Sequence, residues 1–203
     1  MKELIDYLKG KGFLERENVY NAFSEIDRKD FIPEELKKYA YEDMPLSIGY
    51  GQTISQPQVV AFMIKLLSPE REQTVLDIGF GSGWTTAILA EIVKTGKVIG
   101  VEKVPEVYNF GKKNIEKYNF INKKTVELFL GDGRKGKADK GPYDRILVSA
   151  ADRAKDLPQN LTDQIKDGGR IVIPIDSSIF LFIKKKGIFQ WEEYPGFSFV
   201  PLV

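Results

Sequence analysis

The chain has 203 residues, an ordinary apolar content of 42% and a formal net charge of +1. That length supports one domain with its own buried core, and the charge excludes a strong electrostatic footprint for nucleic acid or an anionic membrane. There is no Cys and no His, which excludes disulfides, thiol nucleophiles, thiolate or imidazole metal sites and every catalytic triad built on His.

Apolar positions recur at helical spacing over residues 2–9 (Leu4, Ile5, Leu8) and 15–25 (Val19, Ala22, Phe23). Pro33 opens a short helix in PEELKKYA, in its favoured first-turn position. Residues 40–55 read as loop. From Pro57, PQVVAFMIKLL places Val59, Val60, Met63, Leu66 and Leu67 on one helical face. TVLDIG follows as a buried strand, TTAILAEIV as helix, KVIGVE as strand, PEVYNFGKKNIEKYNF as helix, and TVELFL and YDRILVSAA as strands. PQNLTDQIKDGG reads as a helix stopped by Gly168, and RIVIPI, SIFLFIKKK and FSFVPLV close the chain as strands. Strands alternating with helices predict an α/β, doubly wound, mostly parallel seven-stranded sheet whose last strands form a hairpin. Residues 1–56 are expected to form an N-terminal helical annex with an active loop, and 57–203 one compact core. The N-terminus lacks the unbroken apolar core of a secretion signal, and no apolar run approaches the roughly 20 residues of a membrane span. A cytoplasmic protein is expected.

Open α/β sheets bind ligands outside the carboxyl ends of their strands. The first strand end reads Asp77-Ile78-Gly79-Phe80-Gly81-Ser82-Gly83. Its spacing is G-x-G-x-G, and Trp84 stands where a nicotinamide fingerprint would place its last glycine. The carboxylate of Asp77 opposes an anionic ligand and suits a cationic one. The second strand ends at Glu102, followed by Lys103, where an acid is placed to accept ribose hydroxyls. The third ends as Gly131-Asp132-Gly133, and an Asp there is placed to accept from an exocyclic amine such as that of adenine. The fourth ends as Ser149-Ala150-Ala151, small residues that leave space. Each feature alone also fits a turn or a solvated strand end. Together they describe a pocket for a phosphate-free adenosine beside a positive charge, as in S-adenosylmethionine.

One stretch remains: Gly49-Tyr50-Gly51-Gln52-Thr53-Ile54-Ser55-Gln56-Pro57, uncharged and rich in hydroxyls and amides. With DIGFGSG, it carries a resemblance. DIGFGSG resembles the first motif of class I, Rossmann-like methyltransferases. IGYGQTISQP, with IDRKDFIP at 26–33 and YEDMPL at 41–46, resembles the N-terminal signature of the protein-L-isoaspartate O-methyltransferase family. GDG at 131–133, YDRILVSAA at 143–151, the segment 158–175 and FVPL at 199–202 match in the same order.

The resemblance implies methyl transfer from S-adenosylmethionine, leaving S-adenosylhomocysteine, to the side-chain carboxylate of L-isoaspartyl residues in damaged peptides and proteins. The ester then collapses to a succinimide, and part of it reopens as normal aspartate. The resemblance further implies Ser55 as the active-site hydroxyl, with Thr53, Ile54, Ala150 and Ala151 about the substrate. Asp77, Gly79, Gly81, Ser82, Gly83, Glu102, Lys103, Asp132 and Gly133 would hold the cofactor. No metal, nucleic acid or membrane is implied, and a monomer is expected. The chain departs from the family at Phe80, usually a small residue, and at Trp84, usually Tyr; both bear on the methionine end of the pocket.

The chemistry suits a chain without His. A carboxylate with a pKa of about 3.9 is already ionised at pH 7, so its methylation needs no general base. Charge is lost as the methyl transfers, which a water-poor pocket favours. The remaining task is alignment of reacting atoms roughly 3–3.5 Å apart. An uncharged hydroxyl at Ser55 orients a carboxylate without quenching it as an ion pair would. Ser55 before a Pro-led helix also fits an N-cap, and Thr53 a turn hydroxyl. A same-fold methyltransferase with another acceptor, or a module that binds the cofactor without turnover, are the alternatives.

Overall fold

The computed structural model describes residues 1–151 and 157–200. Two short helices, α1 (Lys2–Gly10) and α2 (Glu17–Glu25), precede a small antiparallel hairpin of β1 (Leu46–Gly49) and β2 (Gln52–Ile54). Among the described residues, the main sheet has seven strands: β3 (Thr74–Ile78), β4 (Lys97–Glu102), β5 (Val126–Leu130), β6 (Tyr143–Val148), β7 (Ile165–Ile175), β8 (Ser178–Lys185) and β9 (Ile188–Pro195). Their spatial order is β5-β4-β3-β6-β7-β8-β9. The first five pair in parallel, and β8 and β9 join antiparallel.

The helices α3 (Pro57–Leu67), α4 (Trp84–Val93) and α5 (Pro105–Glu116) share one buried cluster with α1 and α2, packed on the sheet face that shows Val75, Val98, Leu147 and Val172. The opposite face shows Leu76, Ile99, Ile146 and Ile171 and is met by Leu161 of the short helix α6 (Gln159–Gln164). This alternation follows from the period of two along buried parallel strands. The chain passes from β3 outward to β4 and β5, then returns to the other side of β3 as β6. The order therefore reverses between β3 and β6, and a crevice opens at their carboxyl ends.

Four local expectations are corrected. Residues 40–55 are not wholly irregular: the run Gly49-Tyr50-Gly51 takes φ of 87°, 56° and 71°, which turns β1 back on β2. The segment after Pro33 is a 3₁₀ helix, Glu34–Tyr39, with Pro33 at its cap. The helix of PQNLTDQIKDGG ends at Gln164, and β7 begins at Ile165. Gly168, with φ of 80°, does not stop a helix; it lies where β7 bulges between its Tyr143↔Ile165 and Arg145↔Arg170 pairings with β6. The closing strand is β9, not FSFVPLV. Residues 197–200 form no strand, and 201–203 lie outside the described residues. Lys184 donates to the carbonyls of Thr162 and Ile165 (3.0 and 3.2 Å) and ties β8 to α6 and the start of β7.

Candidate functional site

The glycine loop hangs from the end of β3. Gly79 N donates to Val101 O of β4 (2.8 Å) and Gly83 N to Phe80 O (2.8 Å), so the turn is tied to the adjacent strand and closed on itself. Gly83 stands at the cap of α4 with φ of 86°, and a Cβ there would lie 2.7 Å from Ile115 Cγ1 and 2.9 Å from Gly111 O. No side chain fits that position, and α5 packs directly on the loop.

Glu102, buried at the end of β4, is held by main-chain donors. Oε2 accepts from Gly81 N (3.0 Å), and Oε1 from Lys103 N (2.8 Å) and Val104 N (3.1 Å). A carboxylate has about four acceptor positions, which leaves about one, on Oε2, for a ligand hydroxyl. The same bond occupies the Gly81 amide, so the loop presents a carboxylate where a phosphate site would present a free N–H.

Asp77 is fully buried, and its Oδ2 accepts from Thr86 Oγ1 on α4 (2.6 Å). Among the described residues, its Oδ1 has no hydrogen-bond partner. Burial pushes its pKa up to about 7; the Thr86 hydrogen bond opposes the rise and the charge of Glu102 adds to it. Asp132 caps the turn after β5, accepting from Arg134 N (3.1 Å), Nε (3.1 Å) and Nη2 (2.8 Å). Hydrogen bonding from Arg134 holds its pKa down at about 2.

Two clefts open here. The first, of about 490 Å³, is lined by Gly79, Gly81, Glu102, Lys103, Gly133 and Ala150, with Gln52 and Thr53 from the hairpin. The second, of about 710 Å³, is lined by Pro45, Thr53, Ser55, Gln56, Val59 and Phe199. Thr53, Ser149 and Val200 line both. The hairpin lies over the glycine loop: a Cβ on Gly81 would stand 3.9 Å from Ile48 Cδ1 and 4.0 Å from Thr53 O.

Of the residues expected at the cofactor, Gly79, Gly81, Glu102, Lys103 and Gly133 line the first cleft. Asp77, Ser82, Gly83 and Asp132 stand behind or beside it as supports. Thr53 and Ser55 line the second cleft, whereas Ile54 is turned into the core and Ala150 faces the first. Ala151 donates its N–H to Val200 O (2.9 Å) and so pins the C-terminal segment over both clefts. Ser55 is not the N-cap of α3; Gln56 holds that position and makes no side-chain cap bond.

Phe80 and Trp84 do not shape the clefts. Phe80 is buried and packs against Tyr108 (5.7 Å between centroids), filling the space left by Gly100, where a Cβ would meet its ring at 3.0 Å. Trp84 is buried edge-on to Phe23 (5.7 Å between centroids), and its Nε1 donates to Ile26 O (3.3 Å). Both belong to the packing of α4 against α2 and α5.

Sequence reasoning missed Gln52, Gln56, Val59, Phe199 and Val200 as lining residues. Gln52 and Gln56 stood inside the quoted polar stretch and were legible as neighbours of Thr53 and Ser55. Phe199 and Val200 were masked by reading them as strand. Among the described residues no cluster of metal-ligating side chains occurs, and no helix is long and apolar enough to cross a membrane.

Comparison with known proteins gives a consistent result. The family model for protein-L-isoaspartate(D-aspartate) O-methyltransferase matches residues 1–203. A protein-L-isoaspartate O-methyltransferase of Staphylothermus marinus is 41% identical over 213 residues, covering 100% of this chain and 93% of that protein. One from Thermococcus onnurineus is 42% identical, covering 98% and 91%. The crystal structure of a Plasmodium falciparum protein assigned as a protein-L-isoaspartate O-methyltransferase, in complex with S-adenosyl-L-homocysteine, superposes with a TM-score of 0.87 at 28% identity, over 100% of this chain and 97% of that one.

Proposed function

Because the chain belongs to the protein-L-isoaspartate(D-aspartate) O-methyltransferase family, we propose that it methylates the side-chain carboxylate of L-isoaspartyl residues in damaged peptides and proteins, starting their return to aspartate through a succinimide. The observation that carries this reading is the junction of two clefts at Thr53, Ser149 and Val200, one floored by the glycine loop and the other bearing Ser55.

The first cleft fits S-adenosylmethionine. Its glycine loop has given the Gly81 amide to Glu102, which disfavours a phosphate. The free acceptor position on Glu102 suits a ribose hydroxyl, Gly133 and Ala150 leave room for a flat base, and Asp132 offers an acceptor position beside Gly133. When bound, S-adenosylmethionine supplies an electrophilic methyl on a cationic sulfur. Ser55 donates its hydroxyl to the acceptor carboxylate and holds one oxygen toward the junction; Thr53 adds a second polar contact there. No residue has to remove a proton, because the acceptor is ionised at neutral pH. Phe199, Val59 and Val200 bring apolar surface to the junction, which favours a transfer in which charge is lost. The protein acts as a cytoplasmic monomer on peptide substrates, without nucleic acid or metal.

The test is transfer of labelled methyl to an isoaspartyl peptide and to its aspartyl twin. Base-labile label on the first alone is expected. Label on neither, with S-adenosylhomocysteine still bound, makes the chain a binding module and overturns the reading.

A further inference from the structure

We propose that Arg28 is a positioning residue for the acceptor cleft, fixing the backbone that presents Ser55. The proposal rests on the reading above. Arg28 begins the 3₁₀ turn Arg28–Phe31, and its side chain is fully buried. Nη1 donates to Ala40 O (2.9 Å) and Glu42 O (3.2 Å), and Nη2 to Met44 O (2.8 Å) and Ser55 O (3.2 Å). The Trp84 ring covers the guanidinium at 5.5 Å.

A buried cation is costly, and an apolar side chain of similar volume often serves stability as well or better. What the guanidinium adds is geometric. Its planar fork reaches carbonyls of two separate segments at once, which a point charge on a flexible stem does not match. Three of the four carbonyls belong to residues 40–44, and the fourth is that of Ser55 itself.

Residues 40–44 then return the hold. Asp43 Oδ2 accepts from Gln56 Nε2 (3.0 Å), and Oδ1 from Gln58 N (2.8 Å). Positions 55, 56 and 58 are thus gripped by Arg28 directly and by Asp43 in relay. Ser55 needs such support, because it falls between the end of β2 at Ile54 and the start of α3 at Pro57. It has neither strand nor helix to set it, and Pro57 has no N–H to lend. The orientation of its hydroxyl is inherited from side chains that enter from elsewhere.

Arg28→Lys keeps the charge and removes the fork. Its kcat/KM for an isoaspartyl peptide is expected to fall by about tenfold to a hundredfold, since small misplacements carry such penalties. Its Kd for S-adenosylhomocysteine should stay within about threefold of wild type. Guanidinium chloride, well below denaturing concentration, should restore part of the turnover of Arg28→Ala without changing that Kd. Equal losses of turnover and S-adenosylhomocysteine affinity would assign Arg28 to the fold and overturn the proposal, as would unchanged kinetics in Arg28→Lys. Should the Arg28 variants not fold, Asp43→Asn carries the test: a several-fold loss of peptide kcat/KM at constant S-adenosylhomocysteine affinity supports the relay, and no loss refutes it. A wild-type protein inert toward the peptide sinks the acceptor reading as well, whereas an active wild type with indifferent variants sinks only the role of Arg28.

Discussion

The two clefts are built by different means. The floor of the first is assembled locally: it is a single strand–loop–helix unit, closed by its own amides and by Glu102 from the adjacent strand. The second is assembled at long range. Ser55 lies outside regular structure; Arg28 holds its carbonyl, Asp43 holds its neighbours Gln56 and Gln58, and a C-terminal segment pinned at Ala151 walls the cleft. A locally built site tolerates distant change and fails when its own backbone is disturbed. A site built at long range fails when any of its remote supports does.

Substitutions that separate the clefts test this contrast. The largest effect is expected at Gly83→Val, where a branched side chain meets Ile115 and the Gly111 carbonyl in a left-handed backbone conformation. Stability should fall by about 3 kcal/mol or more, read from urea unfolding, and S-adenosylhomocysteine binding should be lost with it. Ser55→Ala comes next, lowering turnover by roughly a hundredfold while calorimetry finds S-adenosylhomocysteine affinity unchanged; parallel losses would merge the two clefts into one. Asp132→Ala should weaken S-adenosylhomocysteine by about tenfold and leave the peptide KM in place, and an unaltered affinity would remove Asp132 from the adenine end.

A further effect is a slope in pH. The Asp77 carboxyl has a pKa near 3.8 when exposed and about 7 in the fold, so between these values the folded state holds a proton that the unfolded state has released. Its contribution to stability is complete below about pH 4 and is lost as pH rises through 7. Asp77→Asn should flatten the pH dependence of urea unfolding across that window. An identical slope in both proteins would mean that the carboxyl is ionised in the fold.

The same contrast decides what was legible in the sequence. β3 and β4 were readable because strands buried on both faces are mostly apolar runs ending at glycine or acid; β5 and β6 carry charges but were still marked by β-branched and aromatic residues running into Gly131 and Ser149, and the first cleft sits on these four ends. β1 and β2 were not readable, because a hairpin of four and three residues is too short to show alternation. β7 was hidden at its start by Lys166-Asp167-Gly168-Gly169, whose charges and glycines resemble a helix end but belong to a bulge. β9 escaped because it is an exposed edge, with Trp191 and Ile188 open to solvent and Glu192 and Glu193 in its middle. Ser55 was recognisable from its motif, but nothing local announced that Arg28 holds it, since a contact across 27 positions leaves no periodic trace.

The shared wall of Thr53, Ser149 and Val200 has one more consequence. A ligand that settles against these three side chains alters the surface offered to the other ligand. By linkage, whatever factor the methyl donor applies to peptide affinity, the peptide applies to donor affinity in equal measure. Changes at these positions should therefore alter the coupling between the two binding constants, and alter it equally whichever ligand is varied.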